Sequence, residues 1–431
     1  MQGRQAGAQE TRENEMQQQQ GTPDEAIIVG AGMVGATLAV LLGQAGVAVR
    51  LLDARPASLP DDTAGRGRPG LRVSALTPVS QRLLEGLGVW PAMAERRLSP
   101  YTAMQVWDAE GSGEIRFSAD QAGVPVLGHI VENDVTQAAL EARLASLPNV
   151  RCEAEARVVA LEETHQGRQP RRELLLEDGR RLSAPLVVAA DGARSPLRER
   201  AGIETVSRET GHVAVITTVR LGRSHGGVAR QAFLATGPLA FLPLRIEGRD
   251  DHCSIVWSTS PDEAARLTRL SPDALGEELA AAINHRLGVV TPIDRAVSVA
   301  LTQRHARDYV QPGLALVGDA AHSIHPLAGQ GVNLGLMDVA VLAEELLAAR
   351  ERGVPMGDER ILARYARRRR GDNASMLMLM DGFRLLFGAR QPALTLARNL
   401  GLAGIDRLTP LKRVMMRQAI GERGRLPASC R

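Results

Sequence analysis

The apolar residues of this chain fall into short unbroken blocks. The first, Ala26-Ile27-Ile28-Val29, has the length of a strand and no polar alternation, as in a strand covered on both faces. A glycine turn occupies 30–35. A second apolar block, Ala36 to Leu42, reads as a buried helix closed at Gly46. A third, Val47–Leu52, reads as the next strand, so the segment forms one βαβ unit whose parallel strands require a helical crossover. The stretch 57–70 (ASLPDDTAGRGRPG) is polar and rich in Gly and Pro, which predicts a mobile loop. Helical periodicity returns at 77–87 and 134–147, with strands over 101–131 between them. The pattern of 171–190 predicts a hairpin turning at Asp178-Gly179 and then a buried strand, Leu186–Ala190. Strand-like alternation fills 212–260 and helical spacing 262–287. Leu314–Val317 is a further buried strand, a long helix starts near Gly331, and 358–420 is largely helical. No internal repeat is visible.

This order predicts an α/β fold with an α+β insert: a Rossmann-like dinucleotide-binding domain, a β-sheet substrate domain and a helical C-terminal region. The expected boundaries are a disordered tail at 1–22, the dinucleotide domain at 23–100, 132–210 and 300–357, and the substrate domain at 101–131 and 211–299. A basic helical region follows at 358–431. The length of 431 residues fits two to three domain-sized units. Gly accounts for 43 residues, about a tenth of the chain against an average of about 7%, which favours tight turns and bare backbone beside a ligand. Aromatic residues, at 3%, are too few for stacking-based nucleic-acid binding.

The net charge is +3, but residues 361–431 hold 15 basic and 4 acidic side chains, or +11, leaving −8 on the remainder. The three cysteines, Cys152, Cys253 and Cys430, are widely spaced and form no C-x-x-C pair, which argues for a reducing compartment and against a thiolate metal site. No apolar run reaches the ~18 residues of a membrane span. The first 22 residues lack the apolar core of a secretory signal.

Three motifs carry chemistry. Gly30-x-Gly32-x-x-Gly35 lies between strand and helix. In such a loop the first glycine permits the turn, the second admits a pyrophosphate and the third lets helix pack on strand. Asp53, at the end of the second strand, is placed to accept ribose hydroxyls and disfavours a 2′-phosphate, so the dinucleotide is FAD or NAD in preference to NADP. Asp191-Gly192 follows the strand Leu186–Ala190 and, taken alone, is an ordinary Asp-Gly turn. Gly318-Asp319 closes the strand Leu314–Val317 and leads through His322, His325, Gly329 and Gly331 to a helix N-terminus, a place that stabilises an anionic ring. Asp319 with the two histidines has a spacing open to a metal, but the loop is built for backbone contact and no metal is assigned. Only one dinucleotide fingerprint is present, so any nicotinamide docks without its own Rossmann unit.

These motifs, in this order, resemble the single-component FAD-dependent aromatic hydroxylases of the para-hydroxybenzoate hydroxylase-like fold. The run His325 to Asp338 is similar to the signature of the ubiquinone-biosynthesis hydroxylases within that group. The segments Arg96–Asp108, Leu127–Asn133, Cys253–Pro261 and Asp381–Phe387 most resemble the branch acting as 2-polyprenylphenol 6-hydroxylases, with the sister ring hydroxylases (the 2-polyprenyl-6-methoxyphenol and 3-demethoxyubiquinol steps) as the alternative.

By position, the resemblance implies that Gly30, Gly32 and Gly35 hold the FAD pyrophosphate, Asp53 the adenosine ribose and Asp319 the ribityl chain. It places Arg72 along the FAD, Gly329, Gly331, Val332 and Asn333 at the flavin, and Asp191 and Gly192 near the pyrophosphate, where they help admit the nicotinamide cofactor. Where many relatives carry an Arg, this chain has Asn133, which leaves Gln137 as the candidate cofactor contact on that helix. The implied cycle uses NAD(P)H and O2 as co-substrates and a C4a-hydroperoxyflavin that oxidises a phenol ring. No catalytic base is identified.

The implied partners are a polyprenylated phenol, the membrane surface and other ubiquinone-biosynthesis proteins, with a homo-oligomer open and no nucleic acid. The expected location is cytoplasmic, at the periphery of the inner membrane. A non-catalytic FAD-binding redox protein is the rival from another class. A flavin halogenase needs a lysine between flavin and substrate, and the only lysine, Lys412, lies in the C-terminal region. That region reads mainly as a helical cap with arginines on its solvated face. Met376–Met380, Phe383, Leu386 and Phe387 read either as a prenyl path or as plain core.

Overall fold

A computed structural model describes residues 25–56, 63–109, 111, 113–166, 169–323, 331–388 and 416–431. Three strands form the centre of the first sheet: Ala26–Val29 pairs in parallel with Val49–Leu52 and Leu186–Ala189, and these are flanked by Val150–Glu153 and Leu314–Leu316. Every side chain of Ala26–Val29 and Leu186–Ala189 is buried, which explains why their sequences show no alternation. The short strand Val310–Gln311 closes one edge in antiparallel register. The helix Met33–Gln44 crosses over from the first strand to Val49–Leu52 and packs on the helices Gly331–Arg350 and Asn133–Ala145. It ends at Ala45, and Gly46 follows at φ +75°.

The second large sheet has nine strands and runs from His322–Ser323 through Val297–Ala306, Thr205–Leu221, Arg249–Thr259, Gly237–Ile246 and Val228–Leu234 to Ala103–Asp108 and Glu114–Ser118, with Val290–Pro292 paired on one side. The strand Ala103–Asp108 joins it in parallel with Val228–Phe233, so segments far apart in sequence share one sheet. One face buries Trp107, Phe241, Ile255 and Trp257 under the helices Pro261–Leu267 and Pro272–Ala282. The other packs Ala240, Leu242 and Leu244 against Ala75, Ile130, Met416 and Ile420. The sheet reaches the turn after Leu314–Leu316 directly, because His322–Ser323 pairs with Arg304 and His305.

Some local expectations change. The helix expected over 262–287 is two helices, each started by a serine cap, Ser260 and Ser271. A helix at Trp90–Arg96 breaks the loop before the strands of 99–118. The loop expected to be mobile over 57–70 is tied down in its described part. Arg97 donates to Gly67 O at 2.8 Å, and Glu132, ion-paired with Arg97 at 2.5 Å, accepts the Gly70 N–H at 3.0 Å. Among the described residues, no helix is long and apolar enough to cross a membrane.

Candidate FAD site

The parallel strands deliver three loops to one edge. Gly30 N–H donates to Leu52 O at 2.7 Å, Ala190 N–H to Val29 O at 2.8 Å and Val317 N–H to Ala189 O at 3.0 Å, so the loops leave the sheet side by side at the strands' C-terminal ends. That edge is where open α/β sheets take their ligands.

The fingerprint glycines divide the work. Gly30 has φ +107°, and a Cβ there would lie 2.3 Å from Ala190 O and 2.9 Å from Asp191 Cα. The fingerprint turn therefore touches the Asp191 turn backbone to backbone. A Cβ on Gly35 would lie 1.9 Å from Gly30 O, so the helix packs on its own loop only with hydrogen there. Gly32 differs: nothing stands within 4 Å of its Cβ direction, and it caps a helix whose first amides have no helical acceptor. Such an open glycine beside free N–H groups could receive a pyrophosphate.

Asp53 and Gln137 flank this loop. Asp53 Oδ2 accepts the Ala31 N–H at 2.9 Å, and Gln137 Nε2 donates to Ala31 O at 2.8 Å. Arg55 forks onto both oxygens of Asp53 at 2.9 Å. Burial works to raise the Asp53 pKa, but the bonds from Arg55 and Ala31 outweigh it and hold the carboxylate below its ordinary value. Asp191 Oδ2 accepts the Leu197 N–H at 3.0 Å, whereas Oδ1 is buried with no partner. Burial raises the pKa of Asp191, with its bond from Ser195 opposing. Gly192 follows at φ +84° with open space around it.

Asp319 lies in the turn after Leu314–Leu316, exposed to solvent within a recess crowded by protein. That crowding raises its pKa, against the pull of His322 and then Arg72. Arg72 is thus within electrostatic reach of Asp319, and its own carbonyl accepts the Asn133 N–H at 2.9 Å. The Asn133 side chain accepts from Ser74 Oγ at 2.7 Å and is absorbed in structure. Arg198, buried, donates to Ala320 O at 2.9 Å and holds the turn from one side.

Gly331, Val332 and Asn333 form the first turn of the helix Gly331–Arg350. The Asn333 side chain is committed to structure: it donates to Ala75 O at 2.7 Å and accepts from Thr77 N–H and Ser80 Oγ. Among the described residues, the backbone amides of this turn have no helical acceptor and could face an anionic ring. Gly329 and His325 lie outside the described residues. His322 is buried with its Nε2 2.5 Å from Asp338 Oδ2.

The sequence reading assigns no role to Arg55 or Arg369, and none to Asp338 beyond its place at the end of the signature run. The signals were present: an Arg two residues after the strand-end acid, and a lone acid inside the apolar run Leu334–Ala343. The expectation that C-terminal arginines face solvent fails at Arg369, which is 2% exposed because Asp338 draws it inward.

The FAD-binding domain family matches residues 24–378. The chain belongs to that family. It is 41% identical over 400 residues to the 3-demethoxyubiquinol 3-hydroxylase of Escherichia coli strain K12, covering 93% of this chain and 99% of the relative. It is 38% identical to the ubiquinone hydroxylase UbiL of Rhodospirillum rubrum, covering 92% of this chain and 89% of that one. Among solved structures, the p-nitrophenol 4-monooxygenase PnpA of Pseudomonas putida DLL-E4 superposes with a TM-score of 0.71 at 20% identity, over 93% of this chain and 99% of that one, and shares the fold. Within the FAD family the chain is one of the ubiquinone-biosynthesis hydroxylases, an FAD-dependent monooxygenase with NAD(P)H and O2 as co-substrates. The residues present fit FAD: an open glycine at a helix N-terminus, an unpartnered buried oxygen on Asp191 and a carboxylate in a recess.

Proposed function

We propose that this enzyme hydroxylates the aromatic ring of a polyprenylated phenol. The observation that carries the reading is the meeting of the Gly30, Asp191 and Gly318 loops at one sheet edge, next to a nine-stranded sheet that joins the third loop at His322–Ser323. Bound FAD, once reduced by NAD(P)H, would activate O2, and one oxygen atom of that O2 would go to the ring and the other to water. In this reading the chain's residues bind and orient. Gly32 and the amides of the fingerprint helix take the pyrophosphate, Asp53 the ribose and Asp319 the ribityl chain. Gly331, Val332 and Asn333 present amides to the flavin, and Gly329 is assigned to the flavin with them. Arg72 adds a positive charge beside Asp319, Gln137 fixes the fingerprint loop, and Asp191-Gly192 borders the nicotinamide approach. Residues 23–100, 132–210 and 300–357 form the FAD domain, and 101–131 with 211–299 the substrate domain.

The segments resembling the 2-polyprenylphenol 6-hydroxylases favour hydroxylation at ring position 6. The 41% identity to a 3-demethoxyubiquinol 3-hydroxylase favours the sister step. A prenylated substrate also places the enzyme at a membrane surface. Quinone profiling of an aerobic strain lacking the protein separates these readings. Accumulated 2-polyprenylphenol assigns position 6, accumulated 2-polyprenyl-6-methoxyphenol or demethoxy-quinol assigns the corresponding sister step, and unchanged ubiquinone in a strain without a redundant hydroxylase contradicts the substrate class.

A further inference from the structure

The C-terminal helix Glu359–Gly388 turns Tyr365, Arg369 and Asn373 inward at spacings of four residues, and all three are buried. Arg369 Nε and Asn373 Nδ2 donate to Asp338 Oδ1 at 2.8 and 3.1 Å. Arg369 also bonds Asn373 Oδ1 and Asp372 Oδ2. The other oxygen of Asp338 accepts the Gly318 N–H at 3.0 Å and lies 2.5 Å from His322 Nε2. Gly318 immediately precedes Asp319, and His322 follows it by three residues, so one buried carboxylate brackets the turn that carries Asp319. Tyr365 adds a second tether, donating to Leu316 O at 2.7 Å on the strand that feeds the turn. Asn373 extends the network through Tyr309 to His305 on the nine-stranded sheet.

We propose that Arg369 and Asn373 are positioning residues for the cofactor site: through Asp338 they set the Gly318–Asp319 turn, and their loss weakens FAD binding although neither contacts FAD. The proposal rests on the reading that Asp319 holds the FAD. The physical reason is that a carboxylate with four donors has one well-defined position, whereas one missing its cation relaxes and carries its remaining partners with it. The amide of Gly318 and the imidazole of His322 are those partners. A merely cohesive role for Arg369 would lower stability without coupling to Asp319, and the two roles separate in a double-mutant cycle.

The experiment titrates FAD into apoprotein by quenching of flavin fluorescence, with the absorption spectrum of the bound flavin recorded in parallel. The proteins are wild type, Asp319→Ala, Arg369→Lys, the double variant, and Leu362→Ala, a buried core change on the same helix outside the network. Each of the first two single variants is expected to weaken binding about tenfold, and the double variant to be within about twofold of Asp319→Ala alone. Leu362→Ala lowers the melting temperature and leaves FAD affinity within about twofold of wild type. Asn373→Ala, which removes one donor and leaves the ion pair, stands in if Arg369→Lys does not fold and is held to the same comparison. Wild-type affinity in the Arg369 or Asn373 variant beside a weakened Asp319→Ala overturns the positioning role alone, as does a double variant whose loss is the product of the two singles. Wild-type affinity in Asp319→Ala overturns the site reading, and the proposal with it.

Discussion

Gln137 holds the carbonyl of Ala31 at 2.8 Å, while Asp53 holds the N–H of the same residue at 2.9 Å. The peptide groups on both sides of Ala31 are thereby fixed by side chains from two elements, one on the helix Asn133–Ala145 and one at the end of Val49–Leu52. The fingerprint loop is held in shape by these bonds as well as by its glycines.

Gln137→Ala removes the carbonyl anchor while the Asp53 bond remains. A partly buried hydrogen bond is worth about 1 kcal/mol, so FAD affinity should fall about fivefold, with a melting temperature within a few degrees of wild type. Fluorescence titration of the apoprotein checks this, and unchanged affinity would mean that the loop holds its shape without Gln137.

The glycines predict opposite phenotypes. Gly35→Ala places a methyl group 1.9 Å from Gly30 O, which forces helix and loop apart; a loss of about 2–4 kcal/mol in stability is expected by denaturant titration. Gly32→Val enters open space in the apoprotein and should melt as wild type does, yet it occupies the proposed pyrophosphate position and should purify colourless. A yellow Gly32→Val protein would place the dinucleotide elsewhere.

His129 predicts a pH dependence. It lies edge-on to Trp90 at 5.0 Å with a buried, unpartnered Nδ1, and burial holds its pKa at about 4 against 6.5 unfolded. Between these values the unfolded chain binds the extra proton, so stability is lost as the pH falls from 6.5 towards 4, by at most about 3 kcal/mol from this group. Urea unfolding of wild type and His129→Phe across that range should show a shallower acid slope in the variant. Parallel slopes would remove His129 from the account.

Much of the framework is legible in the sequence because its signals are local. The blocks Ala26–Val29 and Leu186–Ala189 are unbroken because both faces are covered, and the glycine spacing is set by a turn that only small residues permit. The rest depends on distant partners. Nothing near Ala103–Asp108 announces that it pairs with Val228–Phe233. Arg369 sits in a run of four arginines from Arg367 to Arg370, and only the position of Asp338 on another helix selects it for burial. Likewise, the resemblance assigns Asn333 to the flavin through its backbone amide, and nothing near it in the sequence announces that its side chain fastens the helix start to Ala75, Thr77 and Ser80.

The central claim, ring hydroxylation of a prenylated phenol at this FAD site, is tested most directly by isotope transfer. Purified holoenzyme is supplied with NAD(P)H, a short-chain 2-prenylphenol or the corresponding demethoxy-quinol, and 18O2, and the product is analysed by mass spectrometry. One 18O atom on the ring of either substrate, absent in the Asp319→Ala protein, is the predicted result. NAD(P)H oxidation without ring-bound 18O from either compound would contradict the claim.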